Sequence, residues 1–400
     1  MEITKDLFPL LKKQPNLIYL DSAATTLKPK VVIDKINEYY EDYGVNVNRG
    51  VYDLSQQATD AMELSRNKMA QFIACKAEEV IFTKGTTDSI NMVARMLDSS
   101  VLPEDEIIVS VLDHHSFIIP FQELAKRSAS KLKYVALDET FTISKENLAS
   151  LLSPKTKIVC LTYVSNVIGK IEPVKELIEM VKAYNQDIIV VVDAAQAAPH
   201  IKIDVKDLNC DFLAFSLHKM LGAMGVGVLY GKEELLNSLP PVQFGGDMND
   251  GVELYESTYK DAPQRFEAGT PNIEGIVSVS STIDLLNQIT MKKIAEHCKM
   301  LAEYTIEELT KIEGVTVYNK CSDAGIVTFN IDGVHPHDTA TYLALNHLCL
   351  RAGHHCAQLI TKYLGVGGTV RASFYIYNTL DDAKALVNTV KAAVKYYEGW

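Results

Sequence analysis

Phe212-Leu213-Ala214-Phe215-Ser216-Leu217-His218-Lys219, followed by Leu221-Gly222-Ala223-Met224-Gly225-Val226-Gly227, carries an apolar run into a lysine at a glycine-rich turn. A lysine at the end of a buried strand can lose its charge by desolvation, and the neutral amine is a nucleophile able to hold an aldehyde. Lys219 therefore reads as a Schiff-base lysine. Many strands also end in a lysine that simply meets solvent, so its partners decide between the two readings.

Outward from this stretch, the apolar runs Val80 to Thr83, Glu106 to Ser110, Lys133 to Ala136, Ile158 to Thr162, Ile188 to Asp193, Phe212 to Ser216 and Gly227 to Tyr230 alternate with helical patterns. Runs this continuous are expected of strands buried on both faces, so the alternation predicts an α/β fold with a mostly parallel sheet between helices. Gly227 to Tyr230 follows Phe212 to Ser216 too closely for a parallel crossover, which predicts a mixed sheet. Pro240 to Asp247 opens a long polar connection with little helical periodicity, and loops of that length usually serve a function. From Ile273 a helical stretch leads into a smaller α+β part, with strands near Val315 to Tyr318 and Ile326 to Asn330 and a final helix near Leu380 to Tyr397. The domains are expected at 1–16 (an N-terminal arm), 17–271 and 272–400.

Several elements could partner Lys219. Asp193 ends a β-branched run, where a carboxylate can either pair with a protonated ring nitrogen, such as that of pyridoxal phosphate, or cap the next helix; Gln196 has the same ambiguity. Thr86 and Thr87 follow strand and glycine at a helix start, which makes a phosphate cradle or a plain N-cap. His114, in Leu112-Asp113-His114-His115-Ser116, could stack on a planar ring and carry protons. Cys356, after Gly353-His354-His355, is a candidate nucleophile, and Arg371 follows it on Thr369-Val370-Arg371-Ala372-Ser373. His347, Cys349, His354, His355 and Cys356 lack the paired spacing of structural zinc sites, so no metal is expected.

The 400 residues are 47% apolar and 22% charged, a length that suggests two cores. A net charge of -12 argues against nonspecific nucleic-acid binding. Seven scattered cysteines read as reduced thiols. No apolar run reaches the roughly eighteen residues of a membrane span, and Met1 to Lys13 lacks a signal-peptide pattern. A soluble, cytoplasmic protein is expected, with no membrane or nucleic-acid partner.

Ten motifs, in order, carry a resemblance: YLDSAATTLKP (Tyr19 to Pro29), NRG (Asn48 to Gly50), GTTDSIN, DHHSF, VSNVIG (Val164 to Gly169), VDAAQ, FSLHK, RFEAGTPN (Arg265 to Asn272), RAGHHCAQ and VRASFYIYNT (Val370 to Thr379). Over nearly its whole length the chain resembles the pyridoxal-phosphate-dependent cysteine desulfurases of the class V aminotransferase type, SufS-like group. The resemblance implies a pyridoxal-phosphate transferase fold of the aspartate aminotransferase-like type I. It implies conversion of L-cysteine to L-alanine with a persulfide on Cys356, feeding iron–sulfur cluster assembly. Lys219 would hold the cofactor and move the Cα proton, Asp193 would face the ring nitrogen, and His114 would stack on the ring. Gln196 and Asn166 would touch the ring hydroxyl region and substrate. Thr86, Thr87, Ser216 and His218 would hold the phosphate, with Thr270 serving the opposite subunit of a homodimer. Arg371 would clamp the substrate carboxylate. The short tether of Cys356 implies a sulfur acceptor protein of the SufE or SufU kind. The alternative is a selenocysteine lyase, a cysteine sulfinate desulfinase or another pyridoxal-phosphate enzyme on the same scaffold. The chain departs from the group's usual pattern at Asn48, Tyr52, Ser116, Phe117, Ala223 and Met224.

Overall fold

The computed structural model describes residues 5–398; Met1 to Thr4 of the expected arm lie outside the described residues, as do the last two. The first strands are β1 (Ile18–Tyr19), β2 (Val80–Thr83), β3 (Glu106–Ser110), β4 (Lys131–Val135) and β5 (Thr156–Thr162). They are followed by β6 (Ile189–Asp193), β7 (Phe212–Ser216), β8 (Gly227–Gly231), β9 (Asn249–Val252) and β10 (Ser257–Tyr259). The C-terminal strands are β11 (Val315–Val317), β12 (Ile326–Ile331), β13 (Leu348–Cys349), β14 (Arg351–Gly353) and β15 (Thr369–Ser373).

Seven of these strands form one sheet in the order β2-β8-β7-β6-β5-β3-β4. Every pair is parallel except those of β8, which runs antiparallel to both neighbours. The continuous apolar runs are explained by two cores, one on each face. Along β7, Phe212 and Ala214 enter the core shared with the helices Thr86–Met96 and His115–Ser128. Leu213 and Phe215 enter the opposite core, with Leu177 and Ile178 of the helix Val174–Tyr184. Successive strand residues point to opposite faces, so an α/β sheet covered on both sides requires apolar residues at every position.

β4 begins earlier than the expected Lys133, because it is an edge strand whose exposed face tolerates Lys131 and Lys133. The long connection after Pro240 contains structure the sequence did not suggest: β9 and β10 pair antiparallel as a hairpin. Asn249, Asp250 and Gly251 are poor strand formers, so backbone pairing alone defines it.

A second sheet, β11-β12-β15-β14, is antiparallel throughout and packs on the helices Met291–Thr310 and Leu380–Glu398. The start of the chain is fastened to this part. Lys5 pairs with Asp382 at 2.7 Å, Phe8 meets Tyr377 edge-on at 4.9 Å, and β1 pairs with β13. Arg371 lies on β15, directly between Thr328 of β12 and Arg351 of β14.

Candidate active site

The parallel strands deliver their carboxyl ends to one edge of the large sheet, where ligands bind in open α/β folds. A cavity of about 540 Å³ opens there. Thr86, Thr87, His114, Asn166, Asp193, Gln196, Ser216, His218, Lys219, Cys356 and Arg371 all line it. Thr270 is the exception: it is exposed and lines a separate recess beside Lys84, Gln243 and Gly269.

Lys219 follows β7 in a short turn, and burial lowers its ammonium to a pKa of about 8 while Asp193 pulls the other way. Asp193, at the end of β6, accepts the Ala195 N–H at 2.9 Å; burial raises its pKa against that bond and the charge of Lys219. The turn is gripped from behind. The His218 carbonyl accepts from Thr26 N–H at 2.9 Å, from the Thr25 and Thr26 hydroxyls at 3.0 and 3.1 Å, and from Lys28 Nζ at 2.8 Å. Burial lowers Lys28 itself to about 7.

At the end of β2, Gly85 begins the helix Thr86–Met96 without a side-chain cap, and Thr86 N–H and hydroxyl lie 2.8 and 2.7 Å from Ser216 Oγ. The close approach of β8 demands glycine: a Cβ on Gly227 would stand 2.4 Å from Gly85 Cα. The resulting rim of amide N–H and hydroxyl groups at a helix start suits a phosphate.

His114 caps its helix, accepting Ser116 N–H at Nδ1 (3.1 Å) with the Ser116 hydroxyl at 2.7 Å. With Nδ1 an acceptor, the neutral ring carries its proton on Nε2. Burial holds the ring near a pKa of about 3, helped by the charges of Lys219 and Arg371. The neighbouring histidine has a different task. His115 N–H donates to the Cys356 carbonyl at 2.7 Å, and its Nε2 accepts from Gln358 N–H at 3.0 Å. The paired histidines thus divide between the cavity and the cysteine loop.

That loop is held in an uncommon conformation, with His355 at φ 54° and Cys356 at φ 53°. Two successive non-glycine residues in the left-handed region are costly unless the surroundings fix them. Asn166 does so by donating to the His355 carbonyl at 2.7 Å, and His355 Nε2 meets the Thr369 hydroxyl at 2.8 Å. Cys356 is exposed at the cavity.

Arg371 is almost fully buried, and burial lowers its pKa to about 10 against the pull of Asp21. Its Nη1 donates to the Asn166 carbonyl at 3.0 Å and its Nη2 reaches Asp21 at 3.3 Å, whereas Nε has no partner. Asn166 therefore ties the arginine and the cysteine loop together. Asp21, Lys28 and Arg351, which spacing alone does not single out, join the site from inside the YLDSAATTLKP and RAGHHCAQ motifs. Among the described residues no group of three or more His, Cys, Asp or Glu side chains is placed to hold a metal ion.

A fold with a desolvated lysine, a buried aspartate and a phosphate rim at one sheet edge defines a class of pyridoxal-phosphate enzyme. Residues 18–386 match the class V aminotransferase family. The chain belongs to that family, whose cofactor is pyridoxal 5'-phosphate. It is 48% identical to a probable cysteine desulfurase of Halalkalibacterium halodurans, over 98% of each chain. It is 44% identical to another of Staphylococcus aureus, over 99% of this chain and 97% of that one. Among solved structures it resembles a cysteine desulfurase of Thermococcus onnurineus, with TM-score 0.94, 38% identity and 99% of each chain covered. A cysteine desulfurase of Escherichia coli superposes with TM-score 0.91 at 37% identity, covering 98% of this chain and 97% of that one. Within its family the chain stands among the cysteine desulfurases. No helix among the described residues is long and apolar enough to cross a membrane.

The cavity fits the family's cofactor on two observations. The uncapped helix start next to Ser216 can receive a phosphate. Gln196, whose Nε2 donates to the Ala23 carbonyl at 2.8 Å, leaves a buried Oε1 without a partner beside Asp193. A buried acceptor of this kind is costly unless a ligand satisfies it.

The depressed pKa of Lys219 has a measurable consequence. Only the neutral amine attacks an aldehyde, so capture of added pyridoxal phosphate by the apoprotein should quicken about tenfold per pH unit below pH 8 and level off above it. Rapid-mixing absorbance measures this rate. A rate still climbing to pH 10 would show a lysine with an ordinary pKa.

Proposed function

We propose that the chain converts L-cysteine to L-alanine and keeps the sulfur as a persulfide on Cys356. The observation that carries this reading is the meeting of Lys219, Asp193, Arg371 and Cys356 in one cavity. Lys219, Asp193, Gln196 and His114 would hold the cofactor ring, with Thr86, Thr87, Ser216 and His218 at its phosphate. The bound cofactor supplies an electron sink that makes the substrate Cα–H acidic. Arg371 orients the substrate by its carboxylate, Asn166 steadies that arginine, and Lys219 Nζ moves the proton from Cα. His114, uncharged, would lie against the cofactor ring and offer its Nε2–H. The Cys356 thiolate attacks the substrate sulfur, and the Cβ–S bond breaks with its electron pair left on carbon. That carbon is then protonated, so one L-cysteine and one thiol give one L-alanine and one persulfide.

The sulfur would pass to an acceptor protein of the SufE or SufU kind for iron–sulfur cluster assembly in the cytoplasm. Residues 17–271 would form the cofactor domain and 272–400 the smaller domain, with the arm 1–16 fastened to the latter. A homodimer is supported by apolar side chains at full or near-full exposure: Val51, and Leu254 and Tyr255 at the hairpin tip. Such a dimer would bring Thr270 to the opposite phosphate.

The direct test is L-alanine release from L-cysteine by the holoenzyme, with and without such acceptors. Alanine formed in the absence of an acceptor, with no persulfide on the protein, would reject the reading. Arg371→Lys should lower kcat/KM for L-cysteine by about 100-fold, because an ammonium cannot reproduce the planar fork held by Asn166. Unchanged kinetics would remove Arg371 from the substrate site.

A further inference from the structure

Arg351 and Arg371 are direct cross-strand partners on β14 and β15, and both line the cavity beside Cys356. Like charges in that arrangement repel unless an anion stands between them. Asp21 is that anion. Its Oδ1 and Oδ2 each lie 3.2 Å from Arg351 Nε, its Oδ2 takes Nη2 at 3.0 Å, and its Oδ1 meets Arg371 Nη2 at 3.3 Å. Its backbone is pinned to the end of β15 by a bridge to Ser373, and Ala23 N–H donates to the Ser373 hydroxyl at 2.9 Å. Asp21 does not itself line the cavity, so it sets the charge of the wall without offering a contact to the ligand.

The wall can be counted in charges. Lys84 stands with Gly85 and Thr86 at the phosphate rim, Lys219 feels the charge of Asp193, and Arg351 is matched by the closer contacts of Asp21, which leaves Arg371, with its unpartnered Nε, for a single substrate carboxylate. An amino acid with an uncharged side chain fits that count. One with a second anion brings a charge for which the Arg351–Arg371 end of the cavity holds no further cation among the described residues.

Resting on the desulfurase reading, we propose that Asp21 is a specificity-determining residue, neutralising Arg351 so that the side-chain end of the cavity accepts a thiol and disfavours a sulfinate or carboxylate. Removing its charge frees Arg351 to attract acidic side chains. The residue acts through the two arginines, so a merely structural defect must be told apart from a change of preference. Binding of L-cysteine sulfinate and L-aspartate, compared with L-serine, is read from the visible band of the holoprotein, which needs no turnover. D21N should tighten the two acidic ligands relative to L-serine by about tenfold. D21E should keep the wild-type ratio, and the D21N/R351Q double variant should return to it. If D21N shifts all three ligands together, or if the double variant keeps the acidic preference, the proposal is overturned. Failure of the wild type to release L-alanine from L-cysteine would instead reject the desulfurase reading, while the binding ratios would still decide the role of Asp21.

Discussion

Lys219→Ala is expected to abolish L-alanine formation, with a loss of about 10⁴-fold or more in kcat. The amine is the group that burial has tuned to a pKa of about 8, opposite Asp193, at the end of β7. The other lysine whose pKa burial depresses, Lys28, is committed to the carbonyls of Thr26 and His218. It therefore cannot substitute. Borohydride reduction followed by peptide mapping should find the cofactor on Lys219 in the wild type and on no lysine in the variant. A reducible adduct at another lysine would overturn the assignment of the whole cavity.

Cys356→Ser should separate cofactor chemistry from sulfur chemistry. Serine is close in size, the side chain is exposed, and the loop is held by backbone contacts: the Cys356 carbonyl to His115 and the His355 carbonyl to Asn166. The variant should keep its visible band and still bind L-cysteine. L-Alanine release from L-cysteine should fall by about 10³-fold or more, because a hydroxyl is a poor nucleophile toward sulfur at neutral pH. Selenium leaves more readily, so L-selenocysteine should lose less. Equal rates from L-cysteine in variant and wild type would remove Cys356 from the reaction.

The large sheet was legible because its strands are written in a form that few other arrangements allow. Runs such as Phe212-Leu213-Ala214-Phe215 feed two cores at once, and the short return to Gly227 left β8 no room for a parallel crossover. β9 and β10 were not legible, since a hairpin of Asn249, Asp250 and Gly251 carries no apolar alternation. In the cavity, lysine, aspartate, histidine and cysteine could be singled out from their positions after strands and turns, and the motifs resembling a known family joined them into one site. The carbonyl grip of Lys28 and the placing of Asp21 between two arginines lay beyond sequence spacing. They depend on the start of the chain returning to the turn after β7, 190 positions on, and to β14 and β15, 330 and 350 positions on. Ser116 is a related case. It departs from the usual pattern, and its hydroxyl adds a second contact at 2.7 Å to the His114 Nδ1 that its backbone N–H already engages.

The most direct measurement is mass analysis of the cysteine-containing peptides after the holoenzyme has met one equivalent of L-cysteine, with L-alanine counted in the same sample. The peptide bearing Cys356 should gain one sulfur atom for each L-alanine released. L-Alanine appearing with the extra sulfur on a different cysteine, or with none on the protein, would contradict the central claim that Cys356 receives the substrate sulfur.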